Sequence, residues 1–206
     1  MSTTVNVKLI TENLADELIN AIRHASGIYI MTSFVMLSGV RLLAPHLKQA
    51  LERGAEVKVL AGDYLFVTQP EGLKALIEID GRLEARLWRS AGASFHPKAY
   101  LFDYDRGEGL LIVGSSNFSF SAMRMGIEWN LAMNAQAEPY TFQVALDKFM
   151  RSFYHESTIP LTPGTIAQYE EEYKRYFRKN PELIQKIIEM EEAEYRQDND
   201  AGAASD

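Results

Sequence analysis

Apolar positions along this chain recur with two periods that alternate. VNVKLI (Val5–Ile10) predicts a strand, and Thr11 can cap a helix running to about Ala25 with Leu14, Leu18, Ile19 and Ile22 on one face. IYIMTSFV (Ile28–Val35) is a β-branched and aromatic run, the pattern of a buried strand. An amphipathic helix follows to Arg53, with Leu43, Leu47, Ala50 and Leu51 inward and Gly54 as its stop. EVKVLAG (Glu56–Gly62) and LEARLW (Leu83–Trp88) read as strands on either side of a helix that starts at Pro70 and ends near Ile79.

This alternation predicts an α/β fold, a mixed and largely parallel sheet sandwiched between helices. The rhythm then changes. HPKAYLFDY and GLLIVG form a hairpin around DRGEG, GIEWNLAM (Gly126–Met133) adds a strand, and a helix covers Ala137 to Tyr154. IPLTPG (Ile159–Gly164), with two prolines, places a boundary. The expected organisation is a catalytic domain over 1–158, a helical appendage over 159–197 and a disordered tail over 198–206. The appendage carries a helix over Thr165–Arg178 and a later apolar stripe of Leu183, Ile184, Ile187 and Ile188.

Composition narrows the chemistry. Apolar residues make up 47% and charged residues 24% of the chain, ordinary globular values. The absence of cysteine excludes disulfides, zinc–cysteine sites and thiol nucleophiles. The first residues lack the pattern of a signal peptide, and no stretch is long and apolar enough to span a bilayer, so the expectation is a soluble, cytoplasmic protein with no membrane partner. A net charge of −7 argues against coating nucleic acid by bulk attraction but leaves room for a local basic site.

The informative segment is Phe95 to Asn130. His96 and Lys98 are two apart at a predicted strand, so both side chains leave one face. The hairpin returns Gly114-Ser115-Ser116-Asn117 beside them, and Glu128 lies on the next strand. An imidazole, an ammonium, a hydroxyl, an amide and a carboxylate can thus converge at one sheet edge. That set suits a phosphodiester. A neutral imidazole can attack phosphorus, while Lys98, Asn117 and Ser115 stabilise the anionic oxygens. Glu128 can accept from the second ring nitrogen of His96 and fix its tautomer. No carboxylate cluster suggests a metal site, and no cofactor is expected.

His96-x-Lys98, four residues to Asp103, then Gly114-Ser115-x-Asn117 resembles the HKD motif of the phospholipase D superfamily. Glu128 matches the acidic residue of its nuclease members. With GDY at Gly62–Tyr64 and GIEWN after the serines, residues 5 to 155 are similar to single-motif nucleases and to modules of bacterial helicases and restriction systems. The resemblance implies metal-independent phosphoryl transfer in which two motifs act together, one histidine as nucleophile and one as proton donor. A single motif then implies a homodimer with a shared site. The chain departs from the family in the ten residues (Tyr104–Val113) between Asp103 and Gly114, which the longer hairpin accommodates. Asp103 points to the opposite face from Lys98 and is read as structural.

Around this centre, Thr32, Ser33 and Tyr64 fall at or just beyond strand ends, where α/β proteins bind ligands. Tyr64 is carried as a substrate contact and Arg124 as a contact to nucleic-acid backbone. His46-Leu47-Lys48 spells the same tripeptide pattern inside a helix, where residues two apart do not share a face. Ser116, Ser119 and Ser121 read as turn and capping residues. Basic and aromatic residues interleave at Tyr173, Lys174, Arg175, Tyr176, Phe177, Arg178 and Lys179, a composition that suits single strands, although neighbouring glutamates favour an ordinary charged surface. The expected activity is cleavage of DNA, rather than RNA, through a phosphohistidine. The alternatives are a DNA-binding module that partners a helicase and a lipid-acting phospholipase D-type enzyme.

Overall fold

The two periods become layers in the computed structural model, which describes residues 7–179 and residue 189. The first half follows the expected alternation: β1 (Val7–Ile10), α1 (Leu14–His24), β2 (Gly27–Thr32), α2 (Leu37–Glu52), β3 (Glu56–Gly62), α3 (Pro70–Glu78) and β4 (Glu84–Trp88). Leu14, Leu18, Ala21 and Ile22 of α1 are buried, as are Leu43, Leu47, Ala50 and Leu51 of α2. Gly54 follows α2 at φ 92°, a left-handed conformation that stops the helix without a Cβ clash. The second half runs β5 (Lys98–Tyr104), β6 (Glu108–Gly114), β7 (Asn130–Asn134), α4 (Pro139–Phe153), β8 (Thr158–Pro160) and α5 (Pro163–Lys179).

All eight strands form one mixed sheet in the order β1-β7-β6-β5-β2-β3-β4-β8. Parallel pairing is confined to β2 with β3 and β3 with β4; the remaining five pairings are antiparallel. The sheet is therefore less parallel than the opening alternation suggests. Only the crossovers through α2 and α3 set two strands of the same direction side by side; the connections through α1 and α4 also keep direction, but they join strands that are not neighbours in the sheet. Side chains alternate across β5: Tyr100 and Phe102 join the core beneath α1, α2 and α3, and Leu101 joins the core under α4 with Phe142, Phe149 and Phe153.

Strand pairing and core contacts cross the boundary expected at residue 159. Thr158–Pro160 pairs with Arg86–Trp88 as the edge strand of the sheet, a position that tolerates Pro160. Helix α5 packs beside α3, and its Ile166 and Tyr169 belong to the main core. The Tyr169 hydroxyl donates to the Thr68 carbonyl at 2.7 Å, and Lys74 of α3 pairs with Glu170 at 2.7 Å. These contacts tie the segment through Lys179 to the sheet and to α3. The stripe from Leu183 to Ile188 and the expected tail over 198–206 lie outside the described residues.

Because the Tyr169 ring is fully buried, Tyr169→Ala is expected to lower global stability by about 3–5 kcal/mol in a single cooperative transition. Urea unfolding followed by two probes checks this; two separate transitions, with the main one unshifted, would restore an independent appendage.

Candidate active site

One end of the sheet gathers the carboxyl ends of β2, β3 and β6 with the starts of β5 and β7. Thr32 at the end of β2 pairs in register with Lys98 at the start of β5, and Gly114 at the end of β6 pairs with Asn130 at the start of β7. The approach at Gly114 is too close for any side chain, since a Cβ there would lie 2.2 Å from the Trp129 carbonyl oxygen. Glycine therefore lets Ser115 follow immediately into the site.

Lys98 is the centre of this end. It is only 7% exposed. Its ammonium donates to Ser33 Oγ at 2.9 Å, to Nδ1 of His96 at 2.8 Å and to the His96 carbonyl at 3.2 Å. None of these partners carries a negative charge. Burial holds its pKa below the ordinary lysine value of 10.5, and the Glu128 carboxylate only partly opposes this from a distance. Lys58 of β3 is equally buried and makes the comparison informative. Burial opposes its charge too, but hydrogen bonds to Glu56 and Glu84 outweigh that and raise its pKa. Lys58 is a satisfied structural cation, whereas Lys98 is a desolvated cation with no carboxylate bonded to it.

The ammonium can only donate, so Nδ1 of the exposed His96 accepts and the ring proton sits on Nε2. Tyr64, in a 3₁₀ turn after β3, stands edge-on to the imidazole with ring centroids 6.3 Å apart. Phe95, just before His96, is buried and stacked on Trp88 at 4.9 Å, which fixes the chain entering β5. Asn117 is 8% exposed and turned by β2: its Oδ1 accepts from the Phe34 amide at 3.3 Å and lies 3.3 Å from the Thr32 hydroxyl. These bonds leave the Nδ2 hydrogens as the donors available to a ligand. The turn itself is tied down by Phe118 N to Thr32 Oγ1 at 3.1 Å and Met36 N to the Phe118 carbonyl at 3.0 Å.

Glu128 takes a different partner from the one expected. Its carboxylate accepts from the Ser115 hydroxyl, and Ser115 Oγ in turn accepts from Trp129 N at 2.9 Å. Within one chain, Nδ1 of His96 faces Lys98 rather than Glu128. Arg124, expected at nucleic-acid backbone, pairs with Asp16 of α1 at 2.8 Å. Sequence spacing missed both because it places Cα atoms and says nothing of which neighbour a long side chain reaches. Thr32 and Ser33 emerge as the residues that orient Asn117 and Lys98. Ser116 and Ser119 take the turn roles expected of them: Ser116 Oγ accepts from Asn130 Nδ2 at 2.8 Å, and Ser119 Oγ from Ala122 N at 3.2 Å. His46 sits within α2, where burial and Arg23 lower its pKa. Among the described residues, no three His, Asp or Glu side chains are grouped to hold a metal ion.

The chain matches, over residues 18–152, the family described as cardiolipin synthase, phospholipase D-like domain. It belongs to the phospholipase D superfamily. Among solved structures, this phospholipase D-like fold is similar to Nuc of Salmonella typhimurium, a phospholipase D family member. The identity is 18% and the TM-score 0.56, covering 75% of this chain and 98% of that one. NucT of Helicobacter pylori aligns at 16% identity and TM-score 0.59, again over 75% and 98%. Phosphatidylserine synthase of Haemophilus influenzae aligns at 17% identity and TM-score 0.56, over 82% of this chain and 44% of that one. No curated protein matches.

The depressed pKa of Lys98 has a measurable sign. In the window between its folded value and 10.5 the unfolded chain holds more protons than the folded one, so the Lys98 contribution to stability rises with pH. Lys98→Met removes that contribution. The variant is expected to be the more stable protein near neutrality, and its advantage to shrink towards about pH 10, as read from urea midpoints across that range.

Proposed function

We propose that this phospholipase D-like chain is a phosphodiesterase, specifically a nuclease that cleaves DNA without a metal ion at a site shared by two copies. The observation that carries the reading is Lys98: a buried ammonium with no bonded carboxylate, beside an exposed imidazole and a fixed amide donor. A phosphate is the anion that completes such a set, and its charge is concentrated further as the transition state forms.

In this mechanism the imidazole of one His96, in the tautomer with its proton on Nδ1, attacks phosphorus through Nε2, forming a P–N bond as the P–O bond to the leaving group breaks. Lys98 and the Asn117 amide hold the non-bridging oxygens. The partner subunit's His96, entering as the imidazolium, gives its Nε2 proton to the leaving oxygen and is left a neutral ring. It then takes a proton from the water that attacks phosphorus and frees the first histidine. The nucleophilic ring needs an acceptor on Nδ1, and the half-buried Glu128 at the mouth of the site supplies a carboxylate when two copies face each other.

The dimer has a surface to form on. Ile127 is 96% and Trp129 64% exposed, on the segment that carries Glu128. Leu131 of β7 pairs in register with Val113 of β6 and Leu9 of β1, and all three are about half exposed. Such an apolar group beside a half-complete site fits burial against a second copy.

Two experiments test this reading. Incubated with labelled DNA in excess EDTA, the protein is expected to cleave, and His96→Ala to lose about 10²–10⁴-fold of the rate; cleavage that needs added Mg²⁺, or that survives in the variant, refutes it. Phosphatidylglycerol hydrolysis without DNA cleavage would instead assign a lipid substrate. Ile127→Asp with Trp129→Asp is expected to convert a dimer to a monomer in analytical ultracentrifugation and to abolish cleavage. An active parent monomer would refute the shared site.

A further inference from the structure

A cavity of about 340 Å³ opens next to the site, between the turn after β3 and the turn after β4, with Tyr176 of α5 at its side. Tyr64 belongs both to its lining and to the ring pair with His96, so the cavity begins where the imidazole ends. Its walls are largely aromatic and apolar. Phe66 and Tyr176 stack at 4.9 Å with their planes 30° apart, and Leu65 is half exposed beside them.

The polar groups of the cavity are distributed unevenly. Arg89, its cation, is already neutralised: it pairs with the buried Asp63 at 3.1 Å and with Glu172 of α5. The wall therefore offers no free positive charge for a phosphate. The hydroxyl of Ser90, a residue of the wall, is in contrast buried with no hydrogen-bond partner among the described residues. Buried polar groups are almost always paired, through ordered water where not through protein, so this hydroxyl keeps capacity for one further partner. The backbone adds to the picture. Leu65, Phe66 and Ala91 line the cavity at φ 53°, 51° and 47°, left-handed conformations that side chains other than glycine adopt at a cost and that concentrate at ligand sites.

An aromatic slot whose wall charges are already paired suits a nucleobase better than a phosphate or an acyl chain. A second groove of about 260 Å³ shares Phe66 and Tyr176 and continues to the exposed Arg175 and Lys179, which suit the phosphates of the following nucleotides. We propose that the cavity receives an unstacked base of single-stranded nucleic acid whose adjoining phosphate lies at His96, and that the strand continues along α5. This rests on the nuclease reading. A base held there cannot be paired, so the chain selects single strands or frayed ends over intact duplex.

The test uses the full chain carrying His96→Ala, so that binding is read without turnover. Fluorescence anisotropy compares a short labelled DNA single strand with a strand of equal length built entirely of abasic sugars. The base-bearing strand is expected to bind about tenfold or more tightly. Tyr176→Ala is expected to remove most of that difference, weakening the base-bearing strand far more than the abasic one. Ser90→Ala is expected to narrow the difference too, and because it deletes a hydroxyl that bonds none of the described residues, its unfolding temperature should not fall below the parent's. Equal affinity for both strands, or equal weakening of both by Tyr176→Ala, overturns the proposal, as does failure to bind either strand. Base-dependent binding by a protein that cleaves nothing would leave this subsite standing and refute the nuclease reading; EDTA-resistant cleavage with no base dependence would do the reverse.

Discussion

The structure turns on a cation kept out of water without a counter-ion in its first circle of neighbours. Lys98 begins β5, pairs with the last residue of β2, and is covered by the chain that follows that strand. A chain of this composition has every means to neutralise it, as it does for Lys58 with two glutamates. It supplies a serine hydroxyl, an imidazole and a carbonyl instead. Isolated charges are expensive to bury, which is why the proposed reading rests on this one. The neighbouring groups serve that arrangement. Thr32 turns Asn117, Ser33 holds the ammonium, and Gly114 brings the serine turn close enough to face it.

Much of this was legible in the sequence because the determining signals are local. The period of the apolar positions defined α1 through β4 within a few residues, and Pro70 and Gly54 marked helix ends for reasons of backbone geometry. The HxK and GSxN spacings implied one shared sheet end, and the hairpin register delivers it. What escaped were long-range pairings. Thr158–Pro160 looks like punctuation, since only the open edge of β4 makes it a strand. Tyr169 looks like one aromatic among many on a charged helix until α3 is laid beside it. Arg124 and Glu128 have reach enough to choose among several neighbours, and the choice depends on α1 and on Ser115, which no spacing rule encodes.

The described chain gathers its candidate catalytic groups, an exposed apolar patch and an aromatic slot as separate features. One imidazole stands with its proton on the outer nitrogen, an apolar collar flanks it, and a slot lined by Tyr64, Phe66 and Tyr176 leads away on the other side. In the proposed reading these features divide the work: the sheet end takes charge, the collar association, and the slot the uncharged part of a polymer. Keeping Arg89 paired within Asp63 and Glu172 preserves that division, because a free guanidinium in the slot would compete with Lys98 for the same phosphate.

The turn between β5 and β6, Asp105–Gly107, sits at the far end of both strands from Lys98 and Gly114. Seven strand residues separate the two ends, roughly 20 Å at the usual rise. The lengthened Asp103-to-Gly114 interval therefore costs the reactive end nothing, because its extra residues are spent at the opposite rim. The same geometry makes this loop a natural handle: a fluorophore, an affinity tag or a tethering cysteine grafted at Arg106 would report on or immobilise the molecule with its working end left clear.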